Sequence, residues 1–194
     1  MIRILLSVTL SLQMSAVALA QSHAPYAEMK DRTTKALSDQ QIADLKAGRG
    51  MGLALPAELN GYPGPMHVLE HADALNLTGE QRERTRAFYQ NMKAEAVPLG
   101  ERLIENEALL EQLFANRAIT PASLSSTTQD IARLQGQLRE THLKYHLAMV
   151  ELLSPQQIQS YRQLRGYQQS SPSHQHHNGH RHHKGITDRA ADDL

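Results

Sequence analysis

Apolar residues recur at three- and four-residue spacing over two long stretches of the chain. In the first, Phe88, Met92, Ala96, Leu99, Leu103, Leu110 and Leu113 fall on one helical face. In the second, Leu124, Ile131, Leu134, Leu138, His142, Tyr145, Met149 and Leu152 repeat at close to heptad spacing. Pro98 interrupts the first stretch, but the stripe resumes beyond it, so the pattern predicts a kink and not a stop. Asn116 to Thr120 separate the two stretches, and Thr120-Pro121 offers an N-cap with proline at N1. The prediction is an antiparallel hairpin of two helices of about 30 residues, each some 45 Å long at ~1.5 Å per residue.

Three helix starts share one signature. Leu-Ser/Thr-x-x-Gln occurs at Leu37 to Gln41, Leu77 to Gln81 and Leu153 to Gln157. In each, the hydroxyl accepts from the N3 backbone N–H, the Gln reaches back to the cap residue, and the Leu packs on the first turn. Short helices are therefore expected after Ser38 and after Ser154-Pro155. Another is expected from Pro65 to Leu75, opened by the turn Gly61-Tyr62-Pro63-Gly64-Pro65, with Val68, Leu69, Ala72 and Leu75 inward. The polar stretch 21–64, broken by Gly48, Gly50 and Gly52, reads as a flexible arm around one short helix. The fold class is all-α: a long antiparallel hairpin, kinked at Pro98, with short flanking helices. One hairpin cannot bury its own stripe, so a homodimer is expected.

Composition and the first residues narrow the class. Arg3, an apolar run from Ile4 and the small residues of Ala18-Leu19-Ala20 read as a secretory signal peptide over 1–20, cleaved near Ala20. A membrane anchor is the alternative, but Ser and Gln interrupt a run already short of the roughly 20 residues that span a bilayer. The expected location is the periplasm, with no membrane insertion after cleavage. With no Cys, there is neither a disulfide framework nor a thiolate metal site. No Trp and two Phe make the core aliphatic and thin. Balanced charge argues against a nucleic-acid partner.

The leader, Leu77-Thr78-Gly79-Glu80-Gln81 before the first long helix and Leu153-Ser154-Pro155-Gln156-Gln157 after the second resemble the periplasmic LTxxQ family of Spy and CpxP. That family includes zinc-resistance-associated proteins and periplasmic heavy-metal sensors. The match covers about Pro65 to Gly166, giving a helical domain at 65–166 between the arm and a tail at 167–194. The resemblance implies a non-enzymatic envelope-stress protein that either binds metal or cradles unfolded clients on the concave face of its hairpin. An inner-membrane signalling partner is a further expectation.

Histidine separates those readings. Six of the eleven, His174, His176, His177, His180, His182 and His183, lie in a tail with almost no apolar residues, which is expected to be disordered. Dense imidazoles on such a chain can wrap Zn, Ni, Co or Cu ions, whereas the plainer alternative is a solubilising tail. Four others form two i, i+4 pairs, His67 with His71 and His142 with His146. Counted from the shared pole of the hairpin, the two pairs sit at depths within roughly 3 Å of each other. With Met149 one turn beyond His146, they make a candidate core site. On the helical wheel His142 falls on the apolar stripe, while His67, His71 and His146 lie on flanks; the plainer alternative is a core His142 and three solvated imidazoles.

The sensors of the family resemble this chain in carrying His-x-x-x-His before the hairpin, here His67 and His71. The resemblance then implies a Glu on the first long helix and His-x-x-x-Met near the end of the second. This chain has Tyr89 and Tyr145 at the Glu and His positions and keeps Met149. His142 and His146 are candidate replacements. A metal-independent chaperone remains open, since Arg82, Arg84, Arg86, Lys93 and Arg102 suit either a client surface or a solvated face. An enzyme is the remaining class, and neither a nucleophile with an evident base nor a phosphate loop supports it.

Overall fold

The computed structural model describes Tyr26 and residues 29–167; the stretch 1–20 expected to be a signal peptide and the six tail histidines lie outside them. Six helices follow in order: α1 (Asp39–Lys46), α2 (Leu55–Glu58), α3 (Pro65–Glu70), α4 (Gly79–Ala115), α5 (Pro121–Leu152) and α6 (Pro155–Leu164). No strand is present among the described residues, and none of their helices is long and apolar enough to cross a membrane. The all-α expectation and the long helix pair hold. Pro98 is exposed inside α4, and the helix continues through it.

The chain divides into two compact units. One contains residues up to 54 with 89–144, the other 55–88 with 145 onward. In the first, α4 and α5 pack through Ala96, Leu103, Ile131, Leu134 and Leu138, and Lys144 forms an ion pair with Glu95. Residues 38–54 do not behave as the loose arm expected from their glycines. Leu37 and Leu45 are buried in the same cluster, so α1 is a packed layer. Gly100 permits this: a Cβ there would lie 2.7 Å from the Leu45 carbonyl oxygen, so α1 rests directly on α4 backbone. Gly48 and Gly52, at φ 65° and 83°, form the turns that follow α1.

The second unit is organised by two of the repeated motifs. Thr78 and Ser154 each accept from the backbone N–H of their own Gln, at 3.1 and 3.2 Å, and each Gln carbonyl accepts from the cap backbone. The two glutamines also clasp each other. Gln81 Nε2 donates to Gln157 Oε1 and Gln157 Nε2 donates to Gln81 Oε1, both at 2.9 Å. Their amides further donate to the carbonyls of Leu152 and Leu75, at 3.1 and 3.3 Å. Behind this clasp lie Val68, Ala72, Leu75, Leu77, Met149, Leu153 and Tyr161. The copy at Leu37 is a plain capping box, Ser38 with Gln41, in the first unit. Ser154→Ala removes one cap acceptor and is expected to cost about 1 kcal/mol, measured by urea denaturation of the metal-free protein.

Candidate metal centre

α3 begins where proline is tolerated, with Gly64 as N-cap and Pro65 at its first position. Val68 and Ala72 turn into the second core, at 0% and 4% exposure, which leaves His67 and His71 on the flank, half-buried. His67 Nδ1 lies 2.7 Å from Glu70 Oε2. A carboxylate accepting from Nδ1–H fixes the tautomer and leaves the Nε2 lone pair for an ion, the arrangement that orients metal-binding imidazoles. His71 closes the helix as its C-cap.

The other predicted ligands have different surroundings. His142 belongs to the first unit and is 3% exposed. Gly50 sits against its ring, and a Cβ there would lie 3.3 Å from Nδ1. Position on the apolar stripe and close packing suit the core-histidine alternative. His146 belongs to the second unit and is buried at 7% exposure, although the wheel placed it on a flank. Its Nδ1 donates to the Tyr62 carbonyl at 2.7 Å, and its ring lies so close to Gly64 that a Cβ there would be 2.9 Å from Cε1. Met149 is fully buried in the core behind α3. Tyr145 is buried with its ring 6.2 Å from that of Phe88, and Lys93 Nζ lies 5.8 Å from the Tyr89 ring centroid.

Among the described residues no three His, Cys, Asp or Glu side chains gather closely enough to hold a metal ion. A candidate pair of imidazole donors remains, His67 on α3 and His71 at its C-cap. It leaves at least two positions of a four-coordinate ion to other donors. The tail histidines predicted as ligands lie outside the described residues.

A buried polar cluster beside this helix escaped sequence reasoning. Glu58, at the end of α2, is 6% exposed. Its Oε1 accepts from the Tyr161 hydroxyl and from Arg165 Nε at 3.3 Å, while Oε2 faces His146 Nδ1 at 3.8 Å. Burial, reinforced by the Glu58 carboxylate, pushes the Tyr161 phenol far above its ordinary range. α2 is four residues long and carries no periodic pattern, so nothing in the sequence marks Glu58 as buried. The cluster holds α2 and the 59–64 loop against α5 and α6.

No curated protein and no solved structure shows a significant match to the chain. The family model for heavy-metal resistance proteins matches residues 47–160, which takes in α2 to α5, both α3 histidines and most of α6. The LTxxQ resemblance and this match converge, and the chain belongs to the heavy-metal resistance family.

Proposed function

We propose that this chain is an exported heavy-metal stress protein, a binding protein and not an enzyme, that takes a divalent transition ion through His67 and His71. The observation that carries the reading is the Glu70 carboxylate 2.7 Å from His67 Nδ1, one turn before a second half-buried imidazole, within a heavy-metal resistance domain. Imidazole suits Zn²⁺, Ni²⁺, Co²⁺ and Cu²⁺, and the six tail imidazoles add capacity for the same ions. Export follows from the leader read at residues 1–20.

His71→Ala in the full chain is expected to lower the affinity for the first Zn²⁺ by at least roughly tenfold, since one of two protein ligands is lost. Competition against a chromophoric chelator measures it, and unchanged affinity refutes the α3 site. The expectation extends to pH: protons compete with the ion for imidazole nitrogens, so binding is weaker at pH 5.5 than at pH 7.5.

A chaperone is the second reading, and one observation favours it. In the first unit Leu109, Phe114 and Leu124, beside the 116–120 turn, are 46%, 54% and 40% exposed, an apolar end suited to an unfolded client. That reading requires the metal-free protein to suppress aggregation of a denatured client, and failure in that assay removes it.

A further inference from the structure

We infer that the first unit carries a binding groove for a small aliphatic carboxylate, with the hydrocarbon against core leucines and the acid group at Arg139. The inference is independent of the α3 histidines, which belong to the second unit. The groove measures about 670 Å³, within the roughly 300–1,000 Å³ typical of small-molecule sites. Its floor is Leu37, Leu45, Leu103 and Leu138, the buried core of the unit, with the partly buried Leu53 beside them. Open space over such residues leaves them without contact atoms on one side, so filling it with hydrocarbon is favourable. No aromatic side chain lines the groove, which removes stacking and favours a flexible aliphatic body over a planar ring.

Two glycines keep the groove from closing on itself. At Gly100 the α4 backbone seats Leu45 so closely that a methyl would lie 2.7 Å from its carbonyl oxygen, which fixes the position of α1 on α4. On α5, Gly136 contributes no side chain to the groove wall, and a Cβ added there would meet nothing within 4 Å. Glycine is the poorest helix former apart from proline, so at this position it leaves room at the expense of α5. Met51 stands in the same lining in the left-handed region, φ 44°, and is 42% exposed. Its unbranched thioether chain has the rotational freedom to lie along hydrocarbon of different lengths.

Charge selects the head group. The lining holds two charged side chains, Asp44 and Arg139. Asp44 Oδ1 already accepts from Arg49 Nε at 2.5 Å and from Gln40 Nε2 at 2.8 Å, so a cationic ligand would have to displace Arg49. Arg139 makes no ion pair among the described residues and is exposed. A guanidinium pairs a carboxylate through two parallel N–H donors. Gln41 and Gln135 add neutral amide donors to the same lining. The groove therefore offers an aliphatic floor and one uncommitted cation, which matches an aliphatic acid at both ends.

Sodium decanoate, below its micelle concentration, is titrated calorimetrically into the metal-free full chain, with decanol as the uncharged comparison and helical circular dichroism checked throughout. One saturable site is expected. Gly136→Leu adds an isobutyl group to the open space over α5, and is expected to weaken decanoate at least roughly tenfold by occupying its place. Arg139→Gln is expected to weaken decanoate about tenfold and to leave decanol unchanged. Since Arg139→Gln changes only an exposed side chain, the test stands even if the leucine variant loses helix content. Absence of saturable binding, or full decanoate affinity in a folded Gly136→Leu chain, overturns the groove. Unchanged decanoate affinity in Arg139→Gln, or an equal loss of decanol, overturns the assignment of the acid group. If Gly136→Leu lowers the sedimenting mass of the ligand-free chain, the groove is the seat of a second copy and the inference falls.

Discussion

Glu58→Ala is expected to destabilise the second unit by about 3 kcal/mol, the low end of the cost of removing one partner of a buried charged pair. The carboxylate is 6% exposed and accepts from both the Tyr161 hydroxyl and the Arg165 guanidinium. Its loss leaves the phenol of fully buried Tyr161 without that acceptor. Arg165 is a quarter exposed, so water recovers part of its loss, which keeps the figure at the low end. Urea denaturation of the metal-free protein measures it, and a cost under about 1 kcal/mol would mean that the cluster is replaceable by water.

The same cluster gives a pH dependence of definite sign. The Tyr161 pKa is raised in the folded state, so its contribution is complete below the unfolded value near 10. Above that pH the unfolded chain releases the phenolic proton while the folded chain keeps it. Stability then falls by up to about 1.4 kcal/mol per pH unit. Comparing denaturation at pH 9 and pH 11 tests this, with Tyr161→Phe flattening the difference.

Gly100→Ala is the second large effect, and its sign is opposite to what the helix alone dictates. Within a helix, alanine is favoured over glycine by about 1 kcal/mol. At Gly100, however, the new methyl would lie 2.7 Å from the Leu45 carbonyl oxygen and 3.0 Å from the Leu45 carbonyl carbon, both backbone atoms that move only with α1. The expected result is a net loss of about 1–3 kcal/mol, as in other overpacked contacts. It should be accompanied by faster amide exchange in α1. Gly136→Ala, inside α5 with nothing within 4 Å of the added methyl, is the control and should stabilise. Equal behaviour of the two substitutions would mean that α1 does not rest on α4.

These contacts mark the boundary of what the sequence disclosed. Long periodic stripes were legible because a helix face repeats locally, and Leu134, Leu138 and Met149 are buried as their spacing predicts. Leu124 shares the stripe but is 40% exposed, because it lies beside the turn where the hairpin ends. The glycines of 48–52 looked like flexibility and are turn positions, a distinction decided by what α1 packs on. His146 looked half-exposed on its wheel, but a wheel does not know that Tyr62 and Gly64 cover it. The His67 and His71 flank was legible from α3 alone, whereas Glu58 was not, since its burial is created by residues about a hundred positions away.

The glutamine clasp has a kinetic consequence. Gln81 and Gln157 are 76 residues apart in the chain, so their pairing adds nothing until the intervening segment has brought them together. Helical turns of α4 and α5 form from neighbours and need no such closure. Folding should therefore proceed from long helices toward the clasp, and the segment bearing α3 should be the last to acquire its native neighbours. An intact 116–120 turn makes that closure intramolecular. Were the chain cut there, the same two amides would have to find each other as separate molecules, and the second unit would become concentration-dependent while each long helix kept its internal hydrogen bonds.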